Sequence, residues 1–333
     1  MAQSVRPSPT PSGIPIHVRG SVHRLGASVP RGFLSCINEH EPELARRITI
    51  DPTANGRLEL AKWLVAPENP LTARVYVNRV WANLMGHGIV RTVDNFGTTG
   101  LPPSDPQLLD ALAGEFIRQG WSTKWLVRTI VTSKAYRRAL KPTESAKEAD
   151  PENGYFSFGH LRRLDAESLR DSMLRSSGEL KESEPAGDSI FPAVGTTVRA
   201  GTKEDYRYEH EAGYRSVYLP WFRNSLPELV REFDGANPSF SISERSRSTV
   251  STQALALMNS PWVSKRAEAA SAGIEPCEGE ADCHRVIETL FLKILGRVPT
   301  EVELRWGRAV LSEASAKELA HQLFASIDFR YAP

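Results

Sequence analysis

The sequence predicts a mainly α-helical protein, multi-helical with long irregular loops and at most a few short strands. Apolar residues recur at three- and four-residue spacing along most of the chain, which is the helical period. Asn69-Pro70 and Asp105-Pro106 each supply a capping side chain followed by a proline with its φ preset at the first helical position. Strand-like alternation is confined to IHVRG (16–20) and RSVYLP (215–220). The expected organisation is a disordered Pro/Ser-rich lead over residues 1–15 and a first helical subdomain over 16–140. A connector over 141–160 and a second helical subdomain over 161–333 follow, the latter with an irregular insertion at 181–213.

The elements follow in order. In NGRLELAKWLVA (55–66), Leu58, Leu60, Ala61, Trp63 and Leu64 form a compact apolar run that stops before Pro67. The Asn69-Pro70 signal starts a helix to about Leu84. Its Leu71, Val75, Tyr76, Val77, Val80, Trp81 and Leu84 surround most of the circumference, predicting a buried helix. After Asp105-Pro106, Leu108, Leu109, Leu112 and Phe116 mark a helix ending at Gly120, and Ser122 caps the next, with Trp125, Leu126, Thr129 and Ile130 on one side. Those two form a helical hairpin. Later helices are expected from about Leu164 to Ser177 and in LPELVREF (226–233). Three more are marked by the faces Val286/Ile287/Leu290/Phe291/Ile294/Leu295, Val302/Trp306/Ala309/Val310 and Leu319/Leu323/Phe324/Ile327.

Composition bounds the function. Lys plus Arg number 41 against 40 Asp plus Glu over 333 residues, a net charge of +1. A balance that close gives no broad field for nucleic acid or an anionic membrane, so no nucleic-acid partner is expected. No run approaches the roughly 20 apolar residues of a membrane span, and MAQSVRPSPTPSG lacks the apolar core of a signal peptide, so the chain as written reads as cytosolic. The cysteines, Cys36, Cys277 and Cys283, are too few for a disulfide framework. Cys283-His284 resembles the end of a haem-attachment motif, but Glu280 stands where the partner cysteine belongs, so no cofactor is expected in this chain. The alternatives for Cys277 and Cys283 are a free thiol at a helix start or a local disulfide. The eight histidines show no zinc spacing, so no metal is expected, and neither a P-loop nor a G-x-S-x-G elbow occurs.

Three polar constellations are candidates for chemistry. Arg74, Asn78 and Trp81 lie at i, i+4 and i+7 on the helix after Pro70, and Asp94 in RTVDNFG is the expected carboxylate for Arg74 or Arg79. That set is either an internal clamp or the floor of a polar pocket. Arg163, Glu167, Arg170 and Asp171 lie at i, i+4, i+7 and i+8 of one helix. Glu167 and Asp171 suit acid–base work and the arginines an anionic ligand, or the four make a salt-bridged surface. Arg245 and Arg247 precede a helix whose free N–H groups suit a phosphate, sulfate or carboxylate, with Ser248, Thr249 and Ser251 as capping candidates. Candidate catalytic groups are thus Asp94, Glu167 and Asp171; candidate ligand-binding groups are Arg74, Asn78, Trp81, Arg163, Arg170, Arg245 and Arg247.

The run from NPLTARVYVNRVWANLMG to TIVTSKAYRR (69–138) resembles the opening of the planctomycete PSD domain, a family of unknown function. RRLDAESLRDSMLRSSG, RSVYLPWFRNSLPELVREFD, TVSTQALALMNSPWV and LKILGRVPTEVE resemble its later blocks in the same order. Two positions that often carry histidine in the family hold Asp105 and Val127 here, so roles for those histidines do not transfer. The resemblance implies an exported setting, periplasmic or at the cell surface, behind a planctomycete-type cytochrome c domain. It also implies that this chain is a shortened paralogue or the C-terminal piece of a longer frame, with haem only in a companion domain. The expected partners are a cytochrome c-type domain or protein and an anionic or polysaccharide ligand. The preferred expectation is therefore a binding or accessory domain beside an exported redox or polymer-processing system. The alternatives are a hydrolase or lyase on an acidic or sulfated glycan and a purely structural interaction domain.

Overall fold

The computed structural model describes residues 13–51, 53–185, 212–219, 226–242 and 244–332. The expected disordered lead lies outside them up to residue 12, as does most of the expected insertion, residues 186–211. The protein is mainly α-helical, with a few short strands, and divides into two compact units, residues 1–159 and 160–333.

In the first unit, β1 (Ile14–His17) pairs antiparallel with β2 (Leu25–Val29). The single strand expected in IHVRG is thus half of a hairpin, and Val18–Gly20 turn away as a 3-10 helix. Its partner, LGASV, escapes a periodicity test because Gly26 and Ala27 interrupt the alternation. Helices α1 (Ser35–His40), α2 (Pro42–Arg47) and α3 (Arg57–Leu64) close a small core of Ile37, Leu44, Trp63 and Ala66, with Phe33 stacked on Trp63 at 5.2 Å. Only Trp63 of the α3 apolar run is buried; Leu58, Leu60 and Leu64 are exposed.

The larger core of this unit gathers α4 (Thr72–Met85), α5 (Pro106–Arg118) and α6 (Thr123–Val131). The caps act as their side chains predict. Asp105 accepts the Leu108 N–H and Ser122 the Trp125 N–H, while Asn69, three residues before α4, accepts from Leu71 and Thr72. The helix expected after Pro70, buried round most of its circumference, needs correction. Ala73, Val77, Trp81 and Met85, four residues apart, make one buried stripe, whereas Leu71 and Tyr76 are exposed. The helix packs on α5 and α6 and buries the side that faces them. The expected connector begins with α7 (Glu144–Ala149), capped by Thr143.

The second unit holds β3 (Arg162–Arg163), paired antiparallel with β4 (Tyr331–Ala332), and seven α-helices among its described residues. These are α8 (Ala166–Ser177), α9 (Glu228–Glu232), α10 (Ser251–Asn259), α11 (Pro261–Ser271), α12 (Glu280–Leu295), α13 (Glu301–Glu313) and α14 (Ala316–Ala325). Leu169, Met173, Leu257, Val263, Ala267, Leu290, Leu319 and Phe324 are among the side chains of one continuous core. RSVYLP is not a strand: Ser216–Tyr218 form a 3-10 turn. The buried face of α13 is also not the expected one, because Val302 and Trp306 are exposed and Leu304 and Gly307 are buried. Gly307 decides this rotation, since a Cβ there would stand 3.0–3.1 Å from three carbons of Ile287 on α12. Ile327, expected to end the α14 face, lies just beyond that helix and is exposed.

Candidate functional site

In the first unit the helix and loop polar groups do not meet as expected. Arg74 pairs with Asp110 on α5 at 2.6 Å and donates to the Pro70 carbonyl at 2.7 Å, while Asp94 is exposed and has no carboxylate-binding partner among the described residues. One helical turn along, Asn78 is fully buried and acts as a strut: its Nδ2 donates to the Val90 carbonyl at 2.9 Å and its Oδ1 accepts the Val90 N–H at 2.8 Å. Gly88 makes room for it, because a Cβ there would approach the Asn78 amide to 2.8–2.9 Å. The Trp81 indole is buried edge-on against Phe156 at 5.0 Å, and its Nε1 has no hydrogen-bond partner in the described structure. Asn78 thus braces the turn after α4, while Arg74 ties the start of that helix to α5.

The second constellation does assemble. Asp165 caps α8 by accepting the Ser168 N–H, and Glu167, Arg170 and Asp171, at i, i+3 and i+4, follow on one side of the helix. Glu167 is held bidentately by Arg245 at 2.5 and 2.8 Å, and this pairing raises the Arg245 pKa further above its usual value. Asp171 accepts the Ser216 N–H at 2.9 Å and the Ser216 hydroxyl at 2.7 Å. Arg170, 1% exposed, donates to the carbonyls of Tyr214 at 2.9 Å and Ala212 at 2.5 Å, and to the Ser216 hydroxyl at 3.3 Å. Arg163 pairs with Asp234 at 3.2 Å and donates to the Ser248 carbonyl, and its guanidinium lies over Phe233. Asp234 closes that ring by accepting the Ser248 N–H and hydroxyl, both at 2.8 Å.

Arg245, expected to greet an anion at a helix start, is therefore engaged by Glu167, and Arg247 pairs with Glu244 at 3.7 Å. Ser248, Thr249 and Ser251 do not cap α10, whose N-cap is Val250 with no side-chain bond; Ser248 serves Asp234 instead. The outcome is a set of interlocked clamps between α8 and the segments at 212–216, 234 and 245–248. Asp234, Ser216 and Arg266 were not singled out by spacing. Their partners on or beside α8 are 45 or more residues away, Asp171 from Ser216, Arg163 from Asp234 and Glu179 from Arg266, beyond the reach of a helical-period test.

One further group went unrecognised in the expected connector. Buried Asp150 accepts from the Gly154 and Tyr155 N–H groups and the Ser157 hydroxyl at 2.6, 2.9 and 2.8 Å. Burial pushes its carboxyl up, but the hydrogen bonds from Ser157, Tyr155 and Gly154 outweigh that and leave it below its usual pKa. Asn153 and Phe156 both have positive φ there and are buried, with the Asn153 carbonyl contacted by His87 Nε2 at 3.0 Å. The DPENG turn signal in the sequence was the available clue.

Cys277 and Cys283 form a disulfide, so Cys283 has no thiol for a haem thioether; Cys36 is free and exposed. Among the described residues no group of three or more His, Cys, Asp or Glu side chains could hold a metal ion, and no helix is long and apolar enough to cross a membrane. No curated protein and no solved structure matches the chain. A family model does match, over residues 56–311, from the turn before α3 to the last turns of α13; its description is PSD1, protein of unknown function (DUF1553). With most of both units inside that match, the chain belongs to the PSD1 family of proteins of unknown function.

Proposed function

We propose that this chain is a helical binding or accessory domain that works beside an exported, cytochrome c-linked redox or polymer-processing system. The observation that carries this reading is the engagement of three carboxylates in the charged cluster of the second unit. Glu167 is spent on Arg245, Asp171 on Ser216 and Asp234 on Ser248 and Arg163. Carboxylates held this way shape a surface, whereas a general acid or base must be free to reach a substrate proton. The Cys277–Cys283 bond favours export, because disulfides persist in oxidising compartments. On this reading haem resides in a companion domain, and the partner is a cytochrome c-type domain or an anionic polysaccharide.

The enzyme reading, a hydrolase or lyase on an acidic or sulfated glycan, retains one specific support. Asp94 is an exposed carboxylate outside every clamp. Titration calorimetry of the full chain against a soluble c-type cytochrome and against heparin, with product analysis of the heparin samples, separates the two. Saturable binding without cleavage is the expected result. Cleavage of the polymer that disappears in Asp94→Asn would install the enzyme reading, and no binding of either probe would leave the purely structural one.

A further inference from the structure

We propose that the β1–β2 hairpin is a docking element for an anionic lipid surface. The register places Ile14 opposite Val29, Pro15 opposite Ser28 and His17 opposite Leu25, so Gly26 and Ala27 together face Ile16 across a bulge. Ile14, Ile16, Val18 and Val29 therefore share one face. In agreement, a Cβ on Gly26 would lie 3.6 Å from both Ile16 Cβ and Val18 Cγ2. All four aliphatic side chains are exposed, Ile14 to 72%, and none belongs to a core cluster of the described residues. Val22 and Leu25 add exposed aliphatic surface near the tip. A two-stranded sheet with its apolar face open to water is marginal alone, and a contiguous exposed patch of this kind marks an interaction surface.

Charge selects the occupant. The first carboxylate in the sequence is Glu39, in a chain whose acidic and basic residues otherwise nearly balance. The hairpin carries His17, Arg19, His23 and Arg24, and neither Arg19 nor Arg24 has a carboxylate partner among the described residues. Arg31, by contrast, is committed to the backbone carbonyls of Ala54 and Asp51. Aliphatic side chains beside guanidinium groups of a single sign complement a bilayer interface, where the former enter the acyl boundary and the latter meet phosphates. A second copy of this chain would bring like charges together. A protein partner would ordinarily call for both signs to fix register.

Co-sedimentation of the full chain with vesicles of phosphatidylcholine and phosphatidylglycerol at 3:1, against pure phosphatidylcholine, tests this. Binding is expected on the anionic vesicles only, weakening as salt is raised. Neutralising both cations in Arg19→Gln/Arg24→Gln should lower partitioning about 30-fold, from the usual contribution of one cation near such a surface. Ile14→Ser/Ile16→Ser should lower it about tenfold or more, by removing the inserted area. Both variants replace exposed residues, so an unchanged melting temperature certifies their fold. Equal binding to both vesicle types, no binding at low salt, or full binding by either variant overturns the proposal. So does a wild-type dimer in light scattering that the isoleucine variant abolishes, which would make a second copy the occupant.

Discussion

Replacing Arg170 by Met tests whether the charged cluster on α8 holds the fold together or holds a ligand. The guanidinium is 1% exposed and serves the Ala212 and Tyr214 carbonyls and the Ser216 hydroxyl, with its Cζ 5.9 Å from the Trp262 ring centroid. Methionine keeps the apolar stem and removes every donor. Each acceptor left buried without a partner costs roughly 1–3 kcal/mol, and Asp171 loses its nearest cation, so a total of about 3–5 kcal/mol is expected. For a unit of this size each kcal/mol moves the midpoint by about 2–4 °C, giving a fall of roughly 6–20 °C. Differential scanning calorimetry of the full chain reads that shift. Arg170→Lys should recover less than half of it, because one ammonium cannot replace the planar fork that reaches both carbonyls. A Met variant that melts with the wild type but no longer binds a cytochrome or polyanion would refute the clamp and make Arg170 a ligand group.

Four other outcomes can be checked on the same protein. Breaking the Cys277–Cys283 bond, which closes a short loop at the start of α12, should lower the melting temperature by about 4–8 °C, from a loop-closure contribution of about 2 kcal/mol. Mass spectrometry after alkylation should find one labelled thiol before reduction, Cys36, and three after. Glu303, held bidentately by Arg297 and donated to by Thr300, has its pKa lowered from 4.5 to about 2. Its stabilisation is full above the unfolded value and lost as pH falls from about 4.5 to 2. Solvent screening reduces it to about 1–2 kcal/mol, and Glu303→Gln should flatten the stability profile in that window. Gly307→Ala should destabilise by about 1–3 kcal/mol by overpacking Ile287, and adding Ile287→Val should recover part of the loss; simple additivity in denaturant unfolding would contradict the contact.

What could be read from the sequence was local. Asp105 and Ser122 cap helices because a cap needs only a side chain and an N–H group three residues on. Faces were less legible. Along α13 the set Val302, Trp306 and Ala309 and the set Leu304, Gly307 and Leu311 both satisfy the helical period, and only the approach of Ile287 to Gly307 chooses between them. Ion pairs were least legible. Asp94 was expected to find Arg74 or Arg79, but Arg74 pairs with Asp110, and the charges on α8, spaced as if to satisfy one another, mostly reach outward. The Glu167–Arg245 pair spans 78 residues and the Arg163–Asp234 pair 71, separations at which spacing carries no signal.

Two fully buried arginines among the described residues of the second unit show why such pairs are built at all. Apolar side chains of equal volume would commonly stabilise a core as well as a buried guanidinium does, so stability alone does not account for Arg170 and Arg266. Their partners do. Arg266 holds Glu179 at 2.7 Å, just past the end of α8, and Arg170 holds Ala212 and Tyr214, with both guanidiniums against the Trp262 ring. Between these anchor points Lys181 donates its N–H to the Gly213 carbonyl at 2.7 Å, and its ammonium sits 4.9 Å from the centre of the Tyr214 ring. These contacts tie the residues just past α8 and residues 212–214 into one neck. Apolar packing is nondirectional and would tolerate a slip of that neck. A planar donor fork aimed at particular carbonyls does not, because a shift of one residue would leave a buried charge without its acceptors.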